Sequence, residues 1–109
     1  VPKRPAKKKR LTPPQILLGI HLAELGFLTV TEHKFCADRD WRFDRADLVN
    51  KVGYECDGGK RTGGHRRGDA IDDENEKINT ATLNGWRVIK FTNEFVLSGE
   101  AKNFLARWL

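Results

Sequence analysis

No apolar stretch in this sequence approaches the roughly 20 residues needed to cross a bilayer. The longest covers only residues 16–20, and no secretory signal with a cleavage site is visible, so a soluble intracellular protein is expected. Cysteine is scarce too: Cys36 and Cys56 lack CxxC spacing and read as small apolar strand residues in a reducing compartment. A zinc site built from His33, Cys36, Cys56 and His65 has the right ligand count. It is disfavoured because His33 and Cys36 point to opposite faces of one strand and no knuckle is present. The GxxxxGK[ST] phosphate loop is missing, and no serine or cysteine nucleophile sits beside a placed histidine. The first residue is Val1 rather than methionine, which leaves open a processed chain or a piece of a larger parent protein, and the apolar C-terminal segment suits either a homodimer contact or the core.

What is present begins with charge. The formal charge is +5, and Lys3, Arg4, Lys7, Lys8, Lys9 and Arg10 supply six positive charges, so residues 11–109 carry −1. Residues 1–11 therefore read as a basic, proline-bearing flexible arm suited to a polyanion, most simply nucleic acid, and residues 12–109 as one domain. The plainer alternatives for the arm are a solubilising tail or a localisation signal. A second basic stretch, GGKRTGGHRRG at residues 58–68, holds Lys60, Arg61, Arg66 and Arg67 beside His65. Glycine lets backbone amides approach phosphates, and arginine matches phosphate oxygens in a bidentate fork.

Three carboxylates lie next to that loop. Trp41-Arg42-Phe43-Asp44 is followed eleven residues later by Glu55-Cys56-Asp57-Gly58-Gly59. On a strand, Glu55 and Asp57 share one face while Tyr54 and Cys56 share the other. A hairpin with a two-residue loop near Asn50-Lys51 sets Asp44 opposite Asp57 and Ala46 opposite Glu55, with all three carboxylates on one face. Like charges so placed repel strongly at low dielectric. A hard divalent cation, Mg²⁺ or Mn²⁺, resolves the conflict. The plainer reading is a strand-edge network in which Asp44 pairs with Arg42 or Arg45, and Glu55 with an arginine of the following loop. The glycine pair after Asp57 suggests close approach of another backbone.

The remaining pattern places these residues on a fold. Thr12-Pro13-Pro14 starts a helix that carries Ile16, Leu17 and Ile20 to about Leu25 and stops at Gly26. Near its end Glu24 is either plain solvent exposure or a reach toward the carboxylates. Strands are expected over residues 31–36, 41–48, 52–57 and 86–92, and a second helix over residues 69–84. In that helix Ile71, Ile78 and Ala81 or Thr82 can face the sheet, and Lys77 either reaches the carboxylate cluster or pairs with Asp73. A short helix with Phe104, Leu105, Trp108 and Leu109 closes the chain. The order α-β-β-β-α-β-α contains a crossover, so the expected fold is α/β with a mixed four-stranded sheet flanked by helices on both faces.

This order, with Asp44 on the second strand and Glu55-Cys56-Asp57 on the third, resembles the PD-(D/E)XK, or restriction-endonuclease-like, superfamily. Within it the chain is similar to small nucleases of phage and bacterial genomes related to the very-short-patch-repair type. These carry W-R-F-D, E-x-[ED]-G-G, an R-x-x-D-x-x-K-x-N-like helix and G-W-x-V-[IL]-x-F-T. Here the elements read Trp41-Arg42-Phe43-Asp44, Glu55-Cys56-Asp57-Gly58-Gly59, Glu74-Asn75-Glu76-Lys77-Ile78-Asn79 and Gly85-Trp86-Arg87-Val88-Ile89-Lys90-Phe91-Thr92, over about residues 24–96. The lysine position two residues after Glu55 holds Asp57; in some members the lysine moves to the following helix, where Lys77 stands. Phe43 replaces the proline of the motif, and Glu74 stands where Asp is expected.

The resemblance implies a restriction-endonuclease-like core and a Mg²⁺- or Mn²⁺-dependent endodeoxyribonuclease acting on DNA in the cytoplasm of a bacterial or phage-infected cell. Asp44 and Glu55 would hold the metal, with the Cys56 carbonyl as a further ligand. Asp57 would be a third ligand or the general base, and Lys77 or His65 would support the attacking water or the developing charge. Lys7, Lys8, Lys9 and Arg10 in the arm and Lys60, Arg61, Arg66 and Arg67 in the loop would bind the nucleic acid. The rival reading is a nucleic-acid-binding module that keeps this scaffold without catalysis.

Overall fold

The computed structural model describes residues 10–58 and 68–108. Its elements are α1 (Pro13–Glu24), β1 (Val30–Lys34), β2 (Arg42–Asp47), β3 (Val52–Asp57), α2 (Gly68–Leu83), β4 (Arg87–Thr92), α3 (Asn93–Leu97) and α4 (Glu100–Arg107). The four strands form one sheet in the order β1-β2-β3-β4. β1, β2 and β3 pair antiparallel, and β4 runs parallel to β3. A parallel neighbour needs a long crossover, and α2 provides it. The expected α/β architecture with its mixed sheet is the observed one.

Each face of the sheet has its own core. On one, α1, α3 and α4 bring Leu18, Leu22, Val96, Ala101 and Leu105 against Val52, Tyr54 and Phe91. On the other, Phe43, Ala46, Ala81 and Trp86 pack together under α2. Leu18, Leu22, Phe43 and Val96 are fully buried, each contributing about 1.5–3 kcal/mol relative to exposure. Among the described residues no helix is long and apolar enough to cross a membrane.

Three features depart from expectation. The β2–β3 connection is a four-residue turn, 48–51, rather than a two-residue loop, because Asp47 organises it. The Asp47 carboxylate accepts the amides of Val49 (3.1 Å) and Asn50 (3.0 Å) and the Asn50 side-chain amide (2.7 Å). Burial pushes the Asp47 pKa up, but these hydrogen bonds outweigh it and hold the carboxyl below its ordinary range. The longer turn moves the register: Ala46 stands opposite Gly53, not Glu55, and Arg45 opposite Tyr54. Secondly, α2 turns Ile71 to solvent (45% exposed) and sets the half-buried Glu74, Lys77 and Ile78 toward the sheet with Ala81. Thirdly, the C-terminal helix is two helices. Thr92 caps the first through the Phe95 amide, and Gly99, at φ +85°, breaks the chain before the second.

Close approach occurs at Gly53; of the glycine pair after Asp57, only Gly58 lies among the described residues. A Cβ on Gly53 would lie 2.6 Å from the ring of the buried Phe43, whereas one on Gly58 would meet no atom within 4 Å. Gly53→Ala is therefore expected to destabilise the protein by about 1–3 kcal/mol through overpacking, read from urea or thermal unfolding. An unchanged midpoint would show that Phe43 does not need this gap.

Candidate active site

The β2–β3 ladder pairs Asp47 with Val52, Ala46 with Gly53 and Arg45 with Tyr54. Beyond that point a side chain takes over. The Cys56 backbone amide donates to Asp44 Oδ2 at 2.8 Å, so the Asp44 carboxylate bridges the two strands. The β1–β2 ladder is irregular at the same level. Pairs are made by Thr31 with Arg45 and by His33 with Phe43, and Glu32 between them has φ +51°. A left-handed backbone at a non-glycine residue costs roughly 1 kcal/mol or more and is tolerated where the surroundings enforce it.

The other Asp44 oxygen faces α1. Gln15, only 6% exposed, donates its Nε2 to Asp44 Oδ1 at 2.9 Å. Its Oε1 accepts the Thr12 backbone amide at 2.9 Å, which orients the side-chain amide with its donor toward Asp44. The start of α1 thus holds a site carboxylate. Gln15 did not figure among the expected site residues, although Thr12-x-x-Gln15 has the spacing of a capping box and was visible in the sequence.

Glu55 looks the other way, toward α2, so the three carboxylates do not share the one face expected of them. Lys77 Nζ stands 2.5 Å from Glu55 Oε1, with side-chain exposures of 12% and 13%. The contact is a close, nearly buried ion pair. Burial is the main influence on Glu55 and pushes its pKa up; Lys77 pulls it back, Asp44 and Glu74 add to the rise, and the net value lies above the ordinary carboxylate range. Burial also lifts the Cys56 thiol to about 12, with Asp44 and Glu55 adding to the rise and Arg45 opposing it. A thiol held protonated is a poor nucleophile and a poor zinc ligand.

Lys77 thus reaches the carboxylates rather than Asp73. Asp73 is taken by Arg39 at 2.6 Å, and Arg39 also binds Glu76 and lies over Trp41. Nor does Asp44 form the plain ion pair with a neighbouring arginine. Arg42 pairs with Asp40 at 3.2 Å. Arg45 lies across α1 where a Cβ on Gly19 would fall 2.2 Å from its Nη2, and it has no ion-pair partner among the described residues. Glu24 pairs with Lys102 at 3.0 Å, on the half-exposed surface at the far end of α1. His33 packs against Trp86 with ring centroids 5.3 Å apart and planes tilted by 40°. Asp57 shares its strand face with Glu55 and stands beside Thr92 of β4. Arg10 is exposed. Lys7, Lys8, Lys9, Lys60, Arg61, His65, Arg66 and Arg67 lie outside the described residues.

The oxygens of Asp44 and Glu55 are hard donors of the kind a divalent cation takes, and Glu55 Oε1 already faces the Lys77 ammonium. Each Asp44 oxygen retains a lone pair after its one hydrogen bond. Among the described residues no three His, Cys, Asp or Glu side chains converge as a ready-made metal cluster.

The α/β fold is similar to that of a solved catalytic domain of a homing endonuclease. The particular likeness is to the catalytic domain of the homing endonuclease I-Bth0305I, with a TM-score of 0.67 over 89% of this chain and 93% of that one, at 15% sequence identity. At this identity the likeness speaks to the fold. No protein-family model and no curated protein sequence matches the chain.

In the metal-free protein, Lys77→Gln removes the downward pull on Glu55, so Glu55 should titrate at higher pH than in the wild type. The stability consequence follows in sign. A carboxyl whose folded pKa exceeds its unfolded value costs nothing below the unfolded value, and its full penalty is present above the folded one. The variant should extend that pH-dependent loss of stability further upward. Carboxyl NMR titration checks this, and coincident Glu55 midpoints in the two proteins would refute the coupling.

Proposed function

We propose that this protein is a metal-dependent endonuclease that hydrolyses phosphodiester bonds in DNA. The observation that carries the reading is the junction of Asp44, Glu55 and Lys77 at the open end of the β2–β3 hairpin, in a chain with a nuclease fold. Asp44 and Glu55 would hold Mg²⁺ or Mn²⁺, with Asp57 and the Cys56 carbonyl as further oxygen donors. When bound, such an ion lowers the pKa of water and offsets charge on the phosphoryl oxygens. The protein's own groups do the rest. Gln15 and the Cys56 amide orient the Asp44 carboxylate, so little reorganisation is needed as the substrate arrives. Lys77 supplies a nearly buried positive charge where negative charge develops, and Asp57, where it does not serve as a ligand, would be the general base for the attacking water. His65, in the basic loop, would assist the same charge, while Lys60, Arg61, Arg66, Arg67 and the Lys7, Lys8, Lys9 and Arg10 arm hold neighbouring phosphates.

A catalytically inactive nucleic-acid-binding module is the second reading. It is favoured by Asp57 standing where the superfamily's lysine is expected and by the lack of a preassembled three-ligand cluster among the described residues. One experiment separates the two: cleavage of labelled duplex, branched and single-stranded DNA with Mg²⁺, Mn²⁺ or EDTA. We expect metal-dependent cutting that falls at least about 10³-fold in Asp44→Ala and Glu55→Ala, with DNA binding in EDTA largely retained. Full activity in purified Glu55→Ala would overturn the assignment, and binding without cutting under either metal would favour the module.

In Gln15→Ala the orienting donor is lost while both proposed metal-holding carboxylates remain. Loss of an orienting partner typically costs 10–100-fold in metal affinity or activity, so the Mg²⁺ concentration for half-maximal cleavage should rise by roughly that factor. An unchanged Mg²⁺ dependence would reduce Gln15 to a helix cap.

A further inference from the structure

The outer hairpin carries cations that the site described so far does not use. Lys34 and Arg42 are direct partners in the β1–β2 ladder. Like charges directly opposite each other in an antiparallel pair, with Cβ atoms roughly 5 Å apart, destabilise the sheet. Neither is well neutralised by the protein. Lys34 is exposed and has no ion pair among the described residues. Arg42 has only Asp40, whose side chain is 83% exposed, and so open a pair is screened and worth little.

Their face matters as much as their charge. Phe43 is buried under α2 with Trp86, and His33, its partner across the ladder, lies against the same indole. Strand alternation then turns Arg42 and Lys34 to the opposite face, the one from which Gln15 of α1 reaches Asp44. Arg42 and Asp44 are two positions apart on one strand, roughly 6.5–7 Å at the rise of a β-strand. The like-charged pair therefore lies beside Asp44 on the α1 side of the sheet.

We infer that Lys34 and Arg42 form a contact for the phosphate backbone of duplex DNA beside the Asp44 site, an inference that rests on reading the protein as a DNA nuclease. A polyanion relieves the cross-strand repulsion, and the arginine provides a fork for two phosphate oxygens. Contacts of this type position the duplex and carry no sequence information. They make binding depend on salt in proportion to the number of phosphates neutralised.

The test is that slope. Binding of a short labelled duplex to the full chain is measured in EDTA across a series of KCl concentrations, for wild type, Lys34→Gln, Arg42→Gln, the double variant and Lys102→Gln. Each single substitution is expected to reduce the slope of log K against log[salt] by about 0.9, and the double variant by about 1.8. Lys102→Gln, at the Glu24 surface pair, should leave it unchanged. Both target side chains are exposed, and thermal melts establish that the variants fold. Lys34→Glu with Arg42→Glu should weaken binding further than the glutamine pair. A double variant that binds with the wild-type slope overturns the inference while leaving the nuclease reading intact. A wild-type protein with no salt-dependent affinity for DNA overturns both.

Discussion

A buried backbone N–H must find an acceptor, and how the Cys56 amide finds one organises much of this molecule. In a regular hairpin the acceptor is a carbonyl of the facing strand. Here it is the Asp44 side chain, at 2.8 Å, past the last ladder pair at Arg45 and Tyr54. The same carboxylate receives Gln15, and Gln15 is tied to the backbone of Thr12 at the helix start. One acidic side chain thus joins the N-terminus of α1, the second strand and the third. The candidate site stands where that junction replaces regular pairing, and the left-handed Glu32 marks the same level on β1.

Charge does similar structural duty under α2. Its inward side offers little apolar surface at the site end and docks through alternating ions: Lys77 with Glu55 of β3, and Glu74 with Lys90 of β4 at 2.7 Å. Only further along does it bury Ala81 against Phe43 and Trp86. Nearly buried ion pairs return little net stability because desolvation offsets the attraction. That balance is visible at Glu55, whose pKa stays raised although a lysine lies beside it. Fold likeness to a homing endonuclease domain at 15% identity does not by itself reach these side chains, so the functional argument rests on the site.

Much of this was legible in the chain, for reasons tied to particular residues. Thr12, Pro13 and Pro14 announced α1, Gly26 and Gly85 marked where helices stop, and the alternation from Trp86 to Thr92 gave the fourth strand. The helix between the third and fourth strands required a parallel pair. Lys77 was placed correctly as one of two options, since its position beside Ile78 already put it at the sheet. The β2–β3 register was not legible. Asp47 reads as an ordinary strand acid, and only its buried hydrogen bonds to Val49 and Asn50 make a four-residue turn preferable to a two-residue loop. That slip is two residues, an even number, so the alternation of Glu55, Cys56 and Asp57 survived it.

The amino-acid sequence by itself determined the element order and the mixed sheet, because periodicity, caps and the need for a crossover are local or topological constraints, while it left Lys77 a choice between the carboxylates and Asp73. Tertiary structure alone decided which face each charge meets: Asp44 toward Gln15, Glu55 toward Lys77, and Arg45 into the space at Gly19. Those choices depend on distances between elements remote in the chain, up to the 29 residues that separate Gln15 from Asp44, and no local pattern encodes them.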